Sequence, residues 1–495
     1  MIVKYVISYH EALDMNIDDI WQDDLLDRRT EAQQLIGFIE SVCQRSVSRL
    51  DKSAYTISVD AGYGEGKTYF LKKLYQQLSL NYPVAFVDAW SDDLSNEPLI
   101  ALMAALKTAL DGDIDNTDVS DGFKSVLKKS GEVLRIAGKG LAWRLLGTAV
   151  GMGGAEAIEN VISRASEDIN NNIDAAMNDV GQGAGGDIAN ASSLSARKMM
   201  SERLEEFEKS KQSIFEMKDG LRKIISALDD SMIIIIIDEL DRCRPTYAIK
   251  LLEEIKHLFD VKGLVFIFGT HGKQLGCSIS GAYGDKFNGH DYMRRFIDRE
   301  YKLRTPLPIN LVDHLRKQYG ISDQNFSIPN TFKKEGNARL QSSHIIAGYM
   351  KSYGLAPRDA FALMDIMQVS LNLIAPREKI FIPLFIPLAI GQIQGKEHKH
   401  LPDLKYPFEW GYRFYGISQA GQVEYDPHDL AVASQKMLDL SMSEIRALLN
   451  ADRRDVIIEF NFEDIVEGGG DLNKSSIFKI PEILRTVGRF SRAVP

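Results

Sequence analysis

An α/β fold built on a parallel sheet is predicted by three stretches of this 495-residue chain. The first is Tyr55-Thr56-Ile57-Ser58-Val59-Asp60, a β-branched run that opens into a glycine-rich turn and then a helix-patterned segment. The second is Ile233-Ile234-Ile235-Ile236-Ile237, an isoleucine run without polar alternation, as expected of a strand covered on both faces. The third is Leu264-Val265-Phe266-Ile267-Phe268, apolar throughout and followed by polar residues. Apolar strands of this kind, separated by helical patterns, assemble as parallel sheets.

The turn after the first strand reads Ala61-Gly62-Tyr63-Gly64-Glu65-Gly66-Lys67-Thr68. This is a phosphate-binding loop with Ala in place of the opening Gly. Glycines let the backbone turn sharply and bring N–H groups against phosphate oxygens. The helix that follows adds unpaired N–H groups and the positive end of its dipole. In this pattern Lys67 reaches the β- and γ-phosphates and the Thr68 hydroxyl holds Mg²⁺. The nucleotide contacts expected are Gly62, Tyr63, Gly64, Glu65, Gly66, Lys67, Thr68 and Tyr69. The alternative is a glycine-rich turn that happens to carry Lys-Thr; the strand before and the helix after argue against it.

At this length the chain has room for about two or three domains and a substantial core. Its composition, 44% hydrophobic and 26% charged, is that of a soluble globular protein. A net charge of −10 argues against a general, charge-driven nucleic-acid binder, though it leaves room for a local basic patch. Cys43, Cys243 and Cys277 form no Cys-x-x-Cys pair, so neither a disulfide framework nor a zinc site is expected, and the pattern fits a reducing compartment. The apolar run at residues 1–8 is too short for a secretory signal, and no uncharged apolar segment has bilayer-spanning length. A cytoplasmic protein is expected, with peripheral membrane association left open.

The opening residues, to about 24, are acidic and weakly patterned. A helix is expected over 30–47, with Leu35, Ile36, Phe38 and Ile39 inward, and another over 68–80. Val84-Ala85-Phe86-Val87-Asp88-Ala89-Trp90 reads as the second strand. Asp88 then either faces a ligand at the strand's carboxyl end or caps a helix over 99–110, with Trp90 in the core. Residues 111–200 form an insertion: a polar break, a Gly- and Ala-rich stretch at 136–158, then an Asn run and a glycine tract at 181–186. Partial helix is expected here, and Lys139, Arg144 and Glu156 argue against a spanning one.

The isoleucine run ends in Asp238-Glu239, the second half of a nucleotide-hydrolase site. Asp238 is expected to hold Mg²⁺ through water, and Glu239 to orient or deprotonate the attacking water. The alternative is a helix start, acidic residues preceding Pro245. A helix over 246–259 and the 264–271 strand follow, where Thr270 or His271 either senses the γ-phosphate or serves as a cap. A fifth strand is expected around 301–303. Before it, Arg295 is a candidate arginine finger for a neighbouring subunit's nucleotide, against the commoner role of a surface arginine. The last third reads as helices over 313–319, 342–353, 357–373 and 441–450, the last opened by a Ser441–Glu444 capping box. Residues 380–390, broken by Pro383 and Pro387, read as core or a kinked helix. The expected division is 1–110 and 201–308 as the two parts of the core, 111–200 as the insertion, and 309–495 as a helical C-terminal domain.

Together, Gly62-Tyr-Gly-Glu-Gly-Lys-Thr68, Val87-Asp-Ala-Trp90, Ile237-Asp-Glu-Leu-Asp-Arg-Cys-Arg-Pro245, Leu252-Glu-Glu-Ile-Lys-His-Leu-Phe259 and Tyr292-Met-Arg-Arg-Phe-Ile-Asp298 resemble the KAP family of P-loop NTPases. The stretch 24–32 resembles the family's opening segment. The resemblance implies a P-loop NTPase of the additional-strand type, parallel sheet order 5-1-4-3-2, with a mostly helical C-terminal domain. It also implies ATP hydrolysis with Mg²⁺. Arg358 is similar to the family's helical-domain arginine that contacts the γ-phosphate, with Arg377 as a rival. Glu239 stands where members usually carry Asp, and Asp88 where they carry Asn. Many members place membrane-spanning helices where this chain has its insertion. Prokaryotic members include genes that exclude phage, so a role in phage defence is expected by association. Three functions compete: an ATPase switch with a protein partner and homo-oligomeric assembly, an ATP-dependent oligomeric scaffold with little turnover, and a DNA-remodelling ATPase.

Overall fold

The computed structural model describes residues 16–45, 54–113, 115–137, 187–228, 232–284, 286–328, 341–375, 378–408, 414–418, 421–441, 443–444 and 476–488. The chain divides into two compact units. One comprises Met1–Gln22, Ala32–Ala61 and Thr68–Lys302; the other comprises Asp23–Glu31, Gly62–Lys67 and Leu303–Pro495.

In chain order, after a one-turn helix at Ile17–Ile20, the main elements up to residue 302 are helix α1 (Arg28–Arg45), strand β1 (Tyr55–Asp60) and helix α2 (Lys67–Leu78). Next are β2 (Val84–Asp88), α3 (Pro98–Ala109), α4 (Thr117–Ala137) and α5 (Asp187–Ala227). Then come β3 (Ile233–Asp238), α6 (Pro245–Leu258), β4 (Leu264–Thr270), α7 (Gly272–Tyr283) and β5 (Arg299–Lys302). The strands form one five-stranded sheet, order β2-β3-β4-β1-β5, with every pairing parallel. This is the expected order read from the opposite edge. The fifth strand starts earlier than the sequence suggested and ends before Leu303.

Composition explains each strand's place. All residues of β3 and β4 are buried, and these two strands lie inside the sheet. Edge strand β5 exposes Arg299, Glu300 and Lys302. The pleat sends alternate residues to opposite faces. Ile233, Ile235 and Ile237 join Phe266, Phe268, Leu251, Leu252 and Ile255 in one core, while Ile234 and Ile236 are as deeply buried on the other face. Removing each such side chain from water contributes about 1.5–3 kcal/mol.

Helix α4, in the region expected as an insertion, pairs with the part of α5 that lies beyond residue 200. Helices α4 and α5 run antiparallel: Gly122 meets Gly220, and Lys129 bridges Glu132 at 3.0 Å and Glu216 at 2.8 Å. A Cβ on Gly220 would lie 2.7 Å from Val126 Cγ2, and one on Gly122 2.8 Å from Ile224 Cγ1, so the close approach requires both glycines. The 181–186 glycine tract lies outside the described residues. No described helix is long and apolar enough to cross a membrane.

The second unit holds α8 (Ile309–Gln318), β6 (Phe326–Ser327), α9 (Ser342–Ser352), α10 (Asp359–Leu373), β7 (Ile380–Phe381) and α11 (Ile382–Ile393). The hairpin β8 (Phe414–Ser418) and β9 (Gly421–Tyr425) and helices α12 (Pro427–Leu438) and α13 (Ser476–Val487) follow. The apolar run with two prolines is helix α11, buried from Ile382 to Gly391. Pro387 has no N–H to donate to the Pro383 carbonyl four residues back. The single proton of the buried Tyr349 hydroxyl is shared between Pro427 O at 3.0 Å and the Pro383 carbonyl at 3.4 Å. The Ser441–Glu444 box is present, Ser441 N donating to Glu444 Oε2 at 2.8 Å; the helix expected after it continues outside the described residues.

Candidate nucleotide site

Because β1, β3 and β4 are parallel, their carboxyl ends share one edge of the sheet, where open α/β sheets place ligands. The register sets Asp60 beside Thr270 and Asp88 beside Asp238. Asp238 is 1% exposed, and its Oδ1 accepts the Glu239 N–H at 2.8 Å. A Cβ on Gly269 would lie within 3.0 Å of both Asp238 Oδ1 and Leu71 Cδ1. Glycine therefore gives the acidic strand end and helix α2 room to meet at one point of β4. Thr68 is the second residue of that same helix.

Thr270 is turned inward. Its hydroxyl bonds the Ser58 hydroxyl at 2.7 Å, and the residue is fully buried, so it presents nothing to a γ-phosphate. His271 makes no side-chain cap to α7. That cap comes from Asp60, whose Oδ1 accepts the Gly272 N–H at 2.7 Å. Asp88 caps the one-turn helix Ala89–Asp92 through the Ser91 N–H at 3.1 Å, rather than the later helix α3. Trp90 is 52% exposed and lies outside the core.

Glu239 has φ 60° and ψ 26°, a left-handed conformation that non-glycine residues adopt at a cost. Its carboxylate pairs with Arg242 at 3.1 Å, and Arg242 sits over the Trp90 ring at 5.5 Å. Burial raises the Glu239 carboxyl above the ordinary range; Arg242 opposes the shift, while Asp238, Asp88 and Asp241 add to it. The rest of the Asp-Arg-Cys-Arg-Pro run is explained by its contacts. The Cys243 thiol donates to Glu239 O at 3.6 Å and is pushed up to about 12, chiefly by burial. Arg244 clamps Asp93, donating from N to Oδ2 at 3.0 Å and from Nε to Oδ1 at 2.9 Å. Pro245 then starts α6, where a missing N–H costs nothing.

In the second unit, the loop turns through Gly64 at φ 81° and Gly66 at φ 88°. Glu65 folds back so that its Oε2 accepts the Gly62 N–H at 2.8 Å. The Gly64 carbonyl accepts the Arg358 N–H at 3.1 Å. A Cβ on Gly64 would lie 3.0 Å from Arg358 Cβ and 3.2 Å from Ala356 Cβ, so the stem of Arg358 runs alongside the loop. Lys67 is 9% exposed, and Tyr63 is exposed at the turn. Tyr69, on the first turn of α2, lies under Lys73 Nζ at 5.5 Å. Buried Arg28 donates to Glu65 O at 2.6 Å. Sequence reasoning gave no role to Arg28, Arg242 or Arg244, although Arg28 lies in the 24–32 stretch and Arg242 and Arg244 in the Ile237–Pro245 stretch that carry the family resemblance. Arg295 is exposed and stacks on Tyr292 at 5.5 Å, while Arg377 lies outside the described residues.

A glycine loop leaving the first strand of a parallel sheet, with an acidic strand end two places along, defines a P-loop nucleotide-binding protein. The chain belongs to the KAP family: the family model described as the KAP family P-loop domain matches residues 30–373. Membership in this family implies nucleotide binding and hydrolysis. No curated protein matches the chain.

Proposed function

We propose that the protein is a Mg²⁺-dependent ATPase whose hydrolysis drives a conformational or assembly switch, working in bacterial anti-phage defence with a protein partner. The observation that supports the chemistry is the shared sheet edge: β1, β3 and β4 run parallel, β3 ends in Asp238, and Gly269 leaves room between that carboxylate and Leu71 of α2.

In this reading the loop residues from Gly62 to Thr68, with Tyr69, bind the triphosphate, the Gly62 N–H exchanging its bond to Glu65 Oε2 for a phosphate oxygen, and Lys67 pairs with the β- and γ-phosphates. Glu239 orients the attacking water and takes its proton, for which a raised carboxyl is suited. Arg358 supports the γ-phosphate, and Arg295 is offered to a neighbouring copy's nucleotide. The Thr68 hydroxyl and Asp238 carboxylate are oxygen donors, which fits a hard cation, and the missing Cβ at Gly269 leaves room beside that carboxylate. Mg²⁺ held there, with Asp238 acting through water, supplies charge neutralisation across the β- and γ-phosphates. The division into core (1–110, 201–308), insertion (111–200) and helical domain (309–495) belongs to the same proposal.

ATPase measurement combined with sizing tests it. Turnover with a nucleotide-dependent change in size is expected, and Lys67→Ala is expected to abolish nucleotide binding. Assembly without phosphate release would instead make the protein a scaffold. Salt-sensitive stimulation by DNA would make it a DNA-remodelling ATPase.

A further inference from the structure

We infer that Arg28 is a positioning residue for the phosphate loop, holding the Glu65 carbonyl so that the Gly66 N–H of the same peptide faces the bound phosphate. The inference rests on the nucleotide-binding reading above and adds a residue that has no role in it.

Arg28 opens helix α1 and is 0% exposed. A buried arginine is costly unless its donors are taken, and a lone ion pair adds little net stability. Arg28 does pair with Glu31, one turn along the helix. Two further bonds go to backbone carbonyls, Nη2 to Glu65 O at 2.6 Å and Nη1 to Arg304 O at 2.9 Å, while Nε is buried without a partner. Glu31 completes the bracket by accepting the Arg304 N–H at 2.8 Å. The guanidinium therefore ties a carbonyl of the loop to a segment already fixed by both its N–H and its C=O.

The consequence follows from the peptide group. It is planar and trans, so its C=O and N–H point in opposite directions. With the Glu65 carbonyl drawn to Arg28, the Gly66 N–H is directed to the other side. The preceding peptide is held too: Gly64 O is drawn to the Arg358 N–H at 3.1 Å, and the Glu65 N–H turns into the loop, where it donates to Gly62 O at 3.4 Å, leaving the Gly66 N–H as the donor that Arg28 directs. The positive φ values of Gly64 and Gly66 alternate with an ordinary residue, the backbone pattern of an anion nest. A nest fixed before the nucleotide arrives loses less freedom on binding. The planar fork of arginine suits this bracket, whereas the ammonium of lysine cannot reach three acceptors in fixed directions.

The test uses the full chain. Arg28→Lys keeps the charge and loses the fork; Arg28→Met with Glu31→Met replaces the ion pair by apolar packing and removes the bond to the loop. Binding of Mg-ATP and of inorganic tripolyphosphate with Mg²⁺ is measured, with the number of sites per chain and the Tm. A hydrogen bond to a charged group is worth about ten- to a hundredfold in affinity. Both variants are expected to weaken both ligands by that factor, equally, with site number unchanged. A purely structural role would lower the Tm and the site number but leave the Kd of the remaining sites at the wild-type value, and would overturn the inference. Weakened ATP with unchanged tripolyphosphate would also overturn it, by assigning Arg28 to the nucleoside. If the wild-type protein binds neither ligand, the nucleotide-binding reading is what fails.

Discussion

Glu239 concentrates the chemistry at the scale of single residues. Its left-handed backbone is strain at the position proposed to act as base, held by the Cys243 thiol on its carbonyl and by Arg242 on its carboxylate. A base acts ionised. Burial has raised this carboxyl, so turnover should fall as pH drops through that raised value and recover above it. Arg242 favours the ionised form, so Arg242→Ala should move the acid limb of kcat to higher pH. An acid limb that stays in place would show that the pair is not felt at the reacting carboxyl. What could be read of these residues from the sequence depended on spacing. Lys67, Thr68, Asp238 and Glu239 stood out because a short motif requires those types in that order. Arg28 and Glu65 lie far apart in sequence and meet through a backbone carbonyl, which no residue type announces. Thr270 was misleading for the opposite reason: its place at a strand end suggested an outward role, and its hydroxyl is satisfied by Ser58.

Among the elements, α6 carries a second buried acid. Glu254 is 0% exposed and pushed up to about 8 by burial, with Lys250, at 4.0 Å, opposing and Glu97 and Glu253 adding. Its folded value lies above the ordinary 4.5, so the folded protein holds this proton more tightly than the unfolded chain. That stabilisation is complete below the ordinary value and is lost as pH rises through about 8, with a slope of about 1.4 kcal/mol per pH unit in between. Glu254→Gln keeps a neutral side chain, so its Tm should gain on wild type as pH rises from about 6 to 9. Parallel Tm curves would remove this acid from the pH response. The α4–α5 pair makes a different prediction. Gly220→Leu places bulk where Val126 already lies, at an expected cost of about 1–3 kcal/mol, and Val126→Ala should recover part of it in a melting curve. Equal Tm values for wild type and Gly220→Leu would mean the helices cross elsewhere. The strands were legible because unbroken apolar runs have few other uses; this helix pairing was not, because it joins glycines on opposite sides of a long intervening stretch.

For the molecule as a whole, each unit has its own apolar core: the isoleucine sheet with α6 in one, and α11 with α9 and α13 in the other. The sheet order followed from the family resemblance, and the helical character of the C-terminal part was legible in the sequence pattern. The grouping of Gly62–Lys67 with the helical residues was not, because it depends on backbone contacts such as Gly64 O to Arg358 N. At this scale the central claim is that the glycine loop and the acidic strand end serve one triphosphate. The most direct measurement is Mg-ATP binding alongside phosphate release for the wild type and Glu239→Gln. Retained binding with phosphate release reduced about a hundredfold or more is expected of Glu239→Gln. Undiminished release by that variant, or a wild-type protein with no affinity for any purine triphosphate, would contradict it.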